Sequence, residues 1–221
     1  MSDGRPTPQS SKPAPKPASK GLLLVISAPS GAGKTSLVKA LLDRDASLAV
    51  SVSHTTRPAR PGEVDGENYH FVDRARFEAM IAGGEFVEYA DVFGNLYGTA
   101  RESLAQGQSA GHDLVLEIDW QGAEQVRRSF PDAISVFVLP PSRATLLERL
   151  NNRGQDSPEV IAKRTALAHT ELAQYEYFDY LLVNDDFDTA VSELHAVLTA
   201  ERLKAPVARP RHADLLTDLL R

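Results

Sequence analysis

Apolar residues along this chain fall into short unbroken runs separated by amphipathic stretches. Leu22-Leu23-Leu24-Val25-Ile26 reads as a fully buried strand, and Ser36 to Leu42 continues as a helix with an apolar stripe. Val50-Ser51-Val52-Ser53 alternates like a short strand, and Thr55 to Gly66 is a loop carrying Arg57, Pro58, Arg60, Pro61 and Gly62. Tyr69 to Val72 predicts a strand. Asp73 is then placed to cap a helix whose apolar positions are Phe77, Met80 and Ile81, with Gly83-Gly84 ending it. Glu85 to Tyr89 alternates polar and apolar, which predicts a half-exposed strand in a small antiparallel insert. A short helix from Ala100 to Gln106 leads to three further buried runs, Leu114–Asp119, Ile134–Leu139 and Tyr180–Val183, with helices near 143–152, 158–174 and 187–203. Buried strands alternating with amphipathic helices predict an α/β fold with a parallel central sheet and right-handed crossovers.

Composition narrows this picture. The 221 residues, 42% of them hydrophobic, suffice for one domain with a small subdomain. Residues 1–20 are rich in Pro, Ser, Ala and Lys without an apolar segment, so they read as a disordered arm rather than a secretory signal. The absence of cysteine excludes disulfides and cysteine-ligated metal centres and agrees with a cytoplasmic location. No apolar run approaches the ~20 residues of a membrane span. Residues 21–221 carry 20 Lys and Arg against 29 Asp and Glu, a net charge of −9, so wholesale binding of nucleic acid is not expected. Phosphate chemistry on such a body must use a few cations at chosen positions.

Those positions are visible. Ala28-Pro29-Ser30-Gly31-Ala32-Gly33-Lys34-Thr35-Ser36 lies between the first strand and the first helix. Backbone N–H groups of such a Gly-rich turn, with the positive end of the helix dipole, converge on phosphate oxygens. Lys34 is then placed for the β- and γ-phosphates and the Thr35 hydroxyl for magnesium. Ala28 stands where the general pattern has glycine. Glu117 and Asp119, two apart at the end of a neighbouring apolar strand, are candidates for holding magnesium or polarising water. Arg149, Arg153 and Arg164 lie in a donor-rich segment that reads as a helical lid over a phosphoryl group in flight. The six histidines are scattered and form no metal-ligand pattern.

From about Gly21 to Arg202 the chain resembles guanylate kinases. The resemblance rests on Ser27–Lys34, on Ser53-His54-Thr55-Thr56-Arg57-Pro58-Ala59-Arg60-Pro61-Gly62-Glu63, on Gly94–Thr99, on Glu117-Ile118-Asp119-Trp120-Gln121-Gly122 and on Arg153-Gly154. The Ala28 variant is itself similar to bacterial members. The resemblance implies a P-loop NTPase three-layer fold in residues 21–204, with a mixed NMP-binding insert near 53–100, a lid near 145–165 and a C-terminal extension, 205–221, beyond the match. It implies transfer of a phosphate from ATP to GMP with Mg2+. Arg57, Arg60, Tyr69 and Tyr97 would hold the GMP phosphate. Ser53 and Thr99 would meet guanine O6, and Glu88 and Asp119 the N1 and N2 donors, with Glu117 beside them. Lys34, Arg149, Arg153 and Arg164 would neutralise the transferred group, and Asn184 would lie near the adenine. Two rivals share the fold. A ribose 1,5-bisphosphate kinase would not need a guanine pocket, and a phosphopeptide-binding module of this type typically carries a degraded P-loop. Oligomeric state is open, and the extension is expected to pack on its own chain or on a partner subunit.

Overall fold

A computed structural model describes residues 21–92, 94–151, 165–166 and 168–221. The central sheet has the order β2-β7-β1-β8-β9, with β1 (Leu23–Ser27), β2 (Leu48–Val50), β7 (Asp113–Glu117), β8 (Ile134–Leu139) and β9 (Tyr180–Val183). Every neighbouring pair is parallel, in register such as Ile26 opposite Glu117 and Leu24 opposite Ile134. Side chains of a strand alternate faces, so β1 splits its residues between two cores. Leu24 and Ile26 pack with Leu37, Val38 and Leu41 of α1 (Lys34–Arg44) and with Leu194 and Leu198 of the long helix Phe187–Leu203. Leu23 and Val25 pack on the opposite side with Leu104 of α3 (Arg101–Ser109) and Val126 of α4 (Trp120–Ser129). The result is helix, sheet, helix, with β1 in the middle and its C-terminal end opening at the mouth between layers.

A second, mixed sheet of order β4-β3-β6-β5 is built from β3 (His54–Thr55), β4 (His70–Phe71), β5 (Phe86–Val92) and β6 (Asn95–Ala100), with β3 and β4 parallel and the other pairs antiparallel. Its own core is Phe77 and Met80 of α2 (Arg74–Ala82) against Phe86 and Leu96. Asp73 caps α2 as expected, accepting from the Arg76 N–H at 2.7 Å.

Three expectations change. The strand expected at 50–53 lies at 48–50 and forms the edge of the central sheet. The acidic strand stops at Glu117, so Asp119 is the N-cap of α4 rather than a strand residue. β5 is half-exposed only beyond its start: Phe86, Val87 and Glu88 are all buried, while Tyr89 and Asp91 are exposed. A register shift between Phe86 and Glu88 turns Phe86 into the insert core while Val87 joins the central core. Alternation had signalled an open face, and α4 covers it at Glu88, against which Gly122 packs, with Gln125 donating to the Tyr89 carbonyl at 2.8 Å.

Helices follow at α5 (Arg143–Asn151), residues 168–172, and α6, the Phe187–Leu203 helix above; α7 (Ala205–Arg211) and α8 (Ala213–Leu219) end the chain. The extension is pinned at its start, where Val207 meets the core and Arg211 bonds Asp113 at 3.1 Å, while Leu215, Leu216, Leu219 and Leu220 are exposed.

Arg202 of α6 joins three parts of the fold. It donates to buried Asp113 at 2.7 Å, to Asp45 and to the Ser47 hydroxyl, while Asp113 also accepts from the Leu22 N–H. Arg202→Ala removes the cation shared by two buried carboxylates, leaving Asp113 to Arg211 and the Leu22 N–H and Asp45 to Ser47, and the expected loss is about 3 kcal/mol, read as a fall of roughly 6–12 °C in Tm with activity at 25 °C retained. The Arg202 guanidinium holds Asp45 far below the usual carboxylate range. That contribution is present above the ordinary value of 3.8 and is lost as pH falls towards the depressed folded value.

Candidate active site

The Gly-rich loop leaves the C-terminal end of β1, and two glycines there need left-handed backbone, Gly31 at φ 91° and Gly33 at φ 93°. A side chain at Gly33 would collide with the Asn184 amide, whose Nδ2 donates to the Ala32 carbonyl at 2.7 Å. Asn184, expected near the adenine, is buried behind the loop and braces its backbone. Ala28, Pro29, Ser30 and Ala32 complete the loop, closed by the Ala32 N–H on the Pro29 carbonyl at 3.1 Å. Thr35 and Ser36 stand exposed in the first turn of α1. Lys34 Nζ donates to the Ile118 carbonyl at 2.9 Å, and the Thr35 hydroxyl donates to Glu117, so the loop is tied to the end of β7.

Across the mouth, the insert sheet and α4 enclose a polar cluster. Thr99, fully buried, donates to Glu88 Oε1 at 2.6 Å and lies 3.3 Å from the Ser53 hydroxyl. Glu88 is 3% exposed, and its other oxygen comes so close to Gly122 that a Cβ there would sit 2.5 Å away. Burial pushes the Glu88 carboxyl up to about 7; the Thr99 hydroxyl opposes this, Asp119 adds to it, and Lys34 opposes it. Asp119 Oδ1 accepts from the Gly122 N–H at 2.9 Å and Oδ2 from Gln121 at 3.1 Å. Ser53, Glu88, Thr99 and Asp119, distant in sequence, thus share one polar wall within electrostatic reach of Lys34.

The cationic loop lies beside this wall. Tyr69 and Tyr97 meet edge-on with centroids 5.8 Å apart, and the Arg57 guanidinium lies 5.4 Å from the Tyr69 ring. Burial pushes the Tyr69 hydroxyl up to about 12, with Glu117 adding to the shift. Arg57 is held by a two-pronged pair with Glu63 at 2.9 and 2.8 Å, which raises the guanidinium and lowers the carboxyl. Glu63 also accepts from the Arg60 N–H at 2.7 Å, while the Arg60 residue is exposed. Arg149 of α5 donates to the Asn184 carbonyl at 3.2 Å, and its buried Nη1 has no partner among the described residues. Arg153, Arg164 and most of the expected lid lie outside the described residues.

Sequence reasoning passed over two carboxylates that bond to the loops of the site. Glu63 stands inside the quoted arginine motif, three residues after Arg60, a spacing that a turn could bring together. Glu171, which accepts from the Ser30 N–H of the loop at 3.1 Å, had no local signal at all.

A Gly-rich loop at the end of the central parallel strand, with lysine and threonine opening the following helix, defines a P-loop protein of the three-layer α/β class. The chain belongs to the guanylate kinase family, and it is a nucleoside monophosphate kinase: the family model for guanylate kinase matches residues 20–201. It is 57% identical over 205 residues to a guanylate kinase of Thiobacillus denitrificans, covering 93% of this chain and 98% of that one. It is also 57% identical over 201 residues to a guanylate kinase of Methylococcus capsulatus, covering 91% and 98%. Among solved structures, guanylate kinase from Anaplasma phagocytophilum superposes with a TM-score of 0.71 at 34% identity, covering 85% of this chain and 89% of that one.

Proposed function

We propose that the chain transfers the γ-phosphate of ATP to GMP, giving ADP and GDP, and that the two walls of the mouth divide the work. The observation carrying this reading is the buried Ser53–Thr99–Glu88 arrangement facing the P-loop lysine. Guanine offers an acceptor at O6 and donors at N1 and N2, which suits hydroxyls beside carboxylates. Adenine would present a lone pair to a carboxylate and leave buried groups unpaired, a mismatch worth ~10⁴-fold in well-built sites. Tyr69, Tyr97, Arg57 and Arg60 hold the acceptor phosphate, with Arg57 already oriented by Glu63. The P-loop N–H groups and Lys34 hold the donor phosphates, and Arg149 brings to the transferred group an Nη1 that has no partner among the described residues. An acceptor phosphate oxygen is already a competent nucleophile, so positioning and charge neutralisation supply the catalysis without a strong general base.

Magnesium fits the donor set. Thr35 and Glu117 present hard oxygen atoms at the mouth, and no cluster of three or more His, Asp or Glu among the described residues forms a cage. Few protein oxygens, completed by phosphates and water, are what this ion usually accepts. When bound it would neutralise developing charge on the phosphates, with Thr35 and Glu117 as its protein contacts. No helix among the described residues is long and apolar enough to cross a membrane, and we place the enzyme in the cytoplasm.

The test is ADP release with ATP and magnesium against GMP, AMP, CMP, UMP and a ribose phosphate in parallel. Turnover with GMP and almost none with AMP is expected. Preference for the sugar phosphate would move the chain to the rival kinase, and no turnover with any acceptor would favour a binding module.

A further inference from the structure

P-loop N–H groups are where a nucleotide's phosphates are held, and one of them already carries an anion. The Ser30 N–H donates to Glu171 Oε2 at 3.1 Å, from a residue 141 positions along the chain. Its seat is supported. Glu171 lies in the helical residues 168–172, between Ala168 and Leu172, which pack with Leu146 and Leu150 of α5. Leu146 and Leu150 in turn close on Gly31, so a small apolar cluster sits on the P-loop and carries the carboxylate to it. Among the described residues the charged groups acting on Glu171 are Lys34 at the start of α1, which attracts it, and Asp119 ahead of α4, which repels it.

We propose that Glu171 is an internal competitor of ATP: its carboxylate is seated on the Ser30 amide, in the loop that takes the phosphates, so the charge on Glu171 sets the affinity for ATP and makes it pH-dependent. The proposal rests on reading the P-loop as the ATP phosphate site. Two anions cannot sit side by side on one loop in a half-buried mouth without strong repulsion. ATP therefore binds when Glu171 withdraws or takes up a proton, and a protonated Glu171 can donate to the phosphate instead of repelling it. Burial already raises this carboxyl above its ordinary value, against the Ser30 N–H and Lys34, so protonation lies closer to neutral pH than for an exposed glutamate. As pH rises through that titration, the carboxylate charge returns and ATP binding weakens.

The experiment is calorimetric titration of the full chain with MgATP, without GMP, across pH 5.5 to 8 in two buffers of different ionisation heat. Wild type is compared with Glu171→Gln, which keeps shape and removes charge, and Glu171→Asp, which keeps charge and loses reach. Both variants are expected to bind ATP about 3- to 10-fold more tightly at pH 7.5. The Gln variant should lose the part of the pH dependence and proton uptake that wild type shows beyond the titration of ATP itself. In turnover, KM for ATP falls while KM for GMP stays within about twofold. Unchanged or weaker ATP binding in both variants, with melting temperatures near wild type, would mean that Glu171 only braces the loop and would overturn the proposal. Should wild type bind ATP yet fail to phosphorylate GMP, the assigned reaction falls while the binding comparison still decides the competitor. Absence of ATP binding by wild type would sink both.

Discussion

Lys34→Ala is expected to remain folded and to lose at least ~10³-fold in kcat, about 4 kcal/mol of transition-state stabilisation. Among the described residues the Lys34 side chain makes one hydrogen bond, to the Ile118 carbonyl, and it stands outside the apolar core. Its charge, by contrast, reaches both Glu88 and Glu171 and draws their carboxyls down, so it is the cation through which the two walls of the mouth communicate. A phosphoryl group passing between two anionic nucleotides meets this cation at the point of greatest charge. Single-turnover kinetics beside a thermal melt checks the result: near-normal turnover would remove Lys34 from the chemistry, and a collapsed melt would assign it to the fold.

Glu88→Gln is expected to lower kcat/KM for GMP by ~10²-fold, about 3 kcal/mol, with KM for ATP within twofold of wild type. The amide cannot accept two donors as the carboxylate does, and its own N–H₂ would face them. Wild type should also show a pH signature. The free carboxyl titrates near about 7 because it is buried, and guanine binding needs it ionised, so KM for GMP rises as pH falls below that value. Residual pH dependence in Glu88→Gln then belongs to the GMP phosphate. The same shift acts on stability with the opposite sign from an ion-paired acid. The folded carboxyl holds its proton above the ordinary 4.5, so stability is full below 4.5 and declines as pH rises to about 7. The cost at neutral pH is roughly 3 kcal/mol, and Glu88→Gln should raise Tm at pH 8 while it destroys guanine recognition. Unchanged Tm and unchanged KM for GMP together would mean that Glu88 is neither strained nor used.

Glu88→Gln thus separates a functional group from its structural cost, and the same separation runs through the whole site. Residues whose chemistry depends on neighbours in sequence were legible: the loop from Ala28 to Thr35, the Asp73 cap and the long helix Phe187–Leu203 all appear where patterning placed them. The P-loop is local by construction, because strand, turn and helix supply its N–H groups within nine residues. The base pocket was legible only through family resemblance. Patterning alone put Glu88 in a half-exposed strand, since alternation records polarity along one strand and carries no information on what packs against either face.

The sequence by itself determined the parallel α/β core, the P-loop at the end of its central strand and the acidic, cysteine-free character of the body, because each follows from local periodicity, turn chemistry or composition. Only tertiary structure decided that α4 and a shifted register bury Glu88, that Asp119 leaves its strand to cap a helix, that Glu63 holds the fork of Arg57, and that Glu171 sits on the Ser30 amide. These contacts join elements many residues apart, and burial and electrostatic reach are properties of the packed molecule that no window of sequence contains.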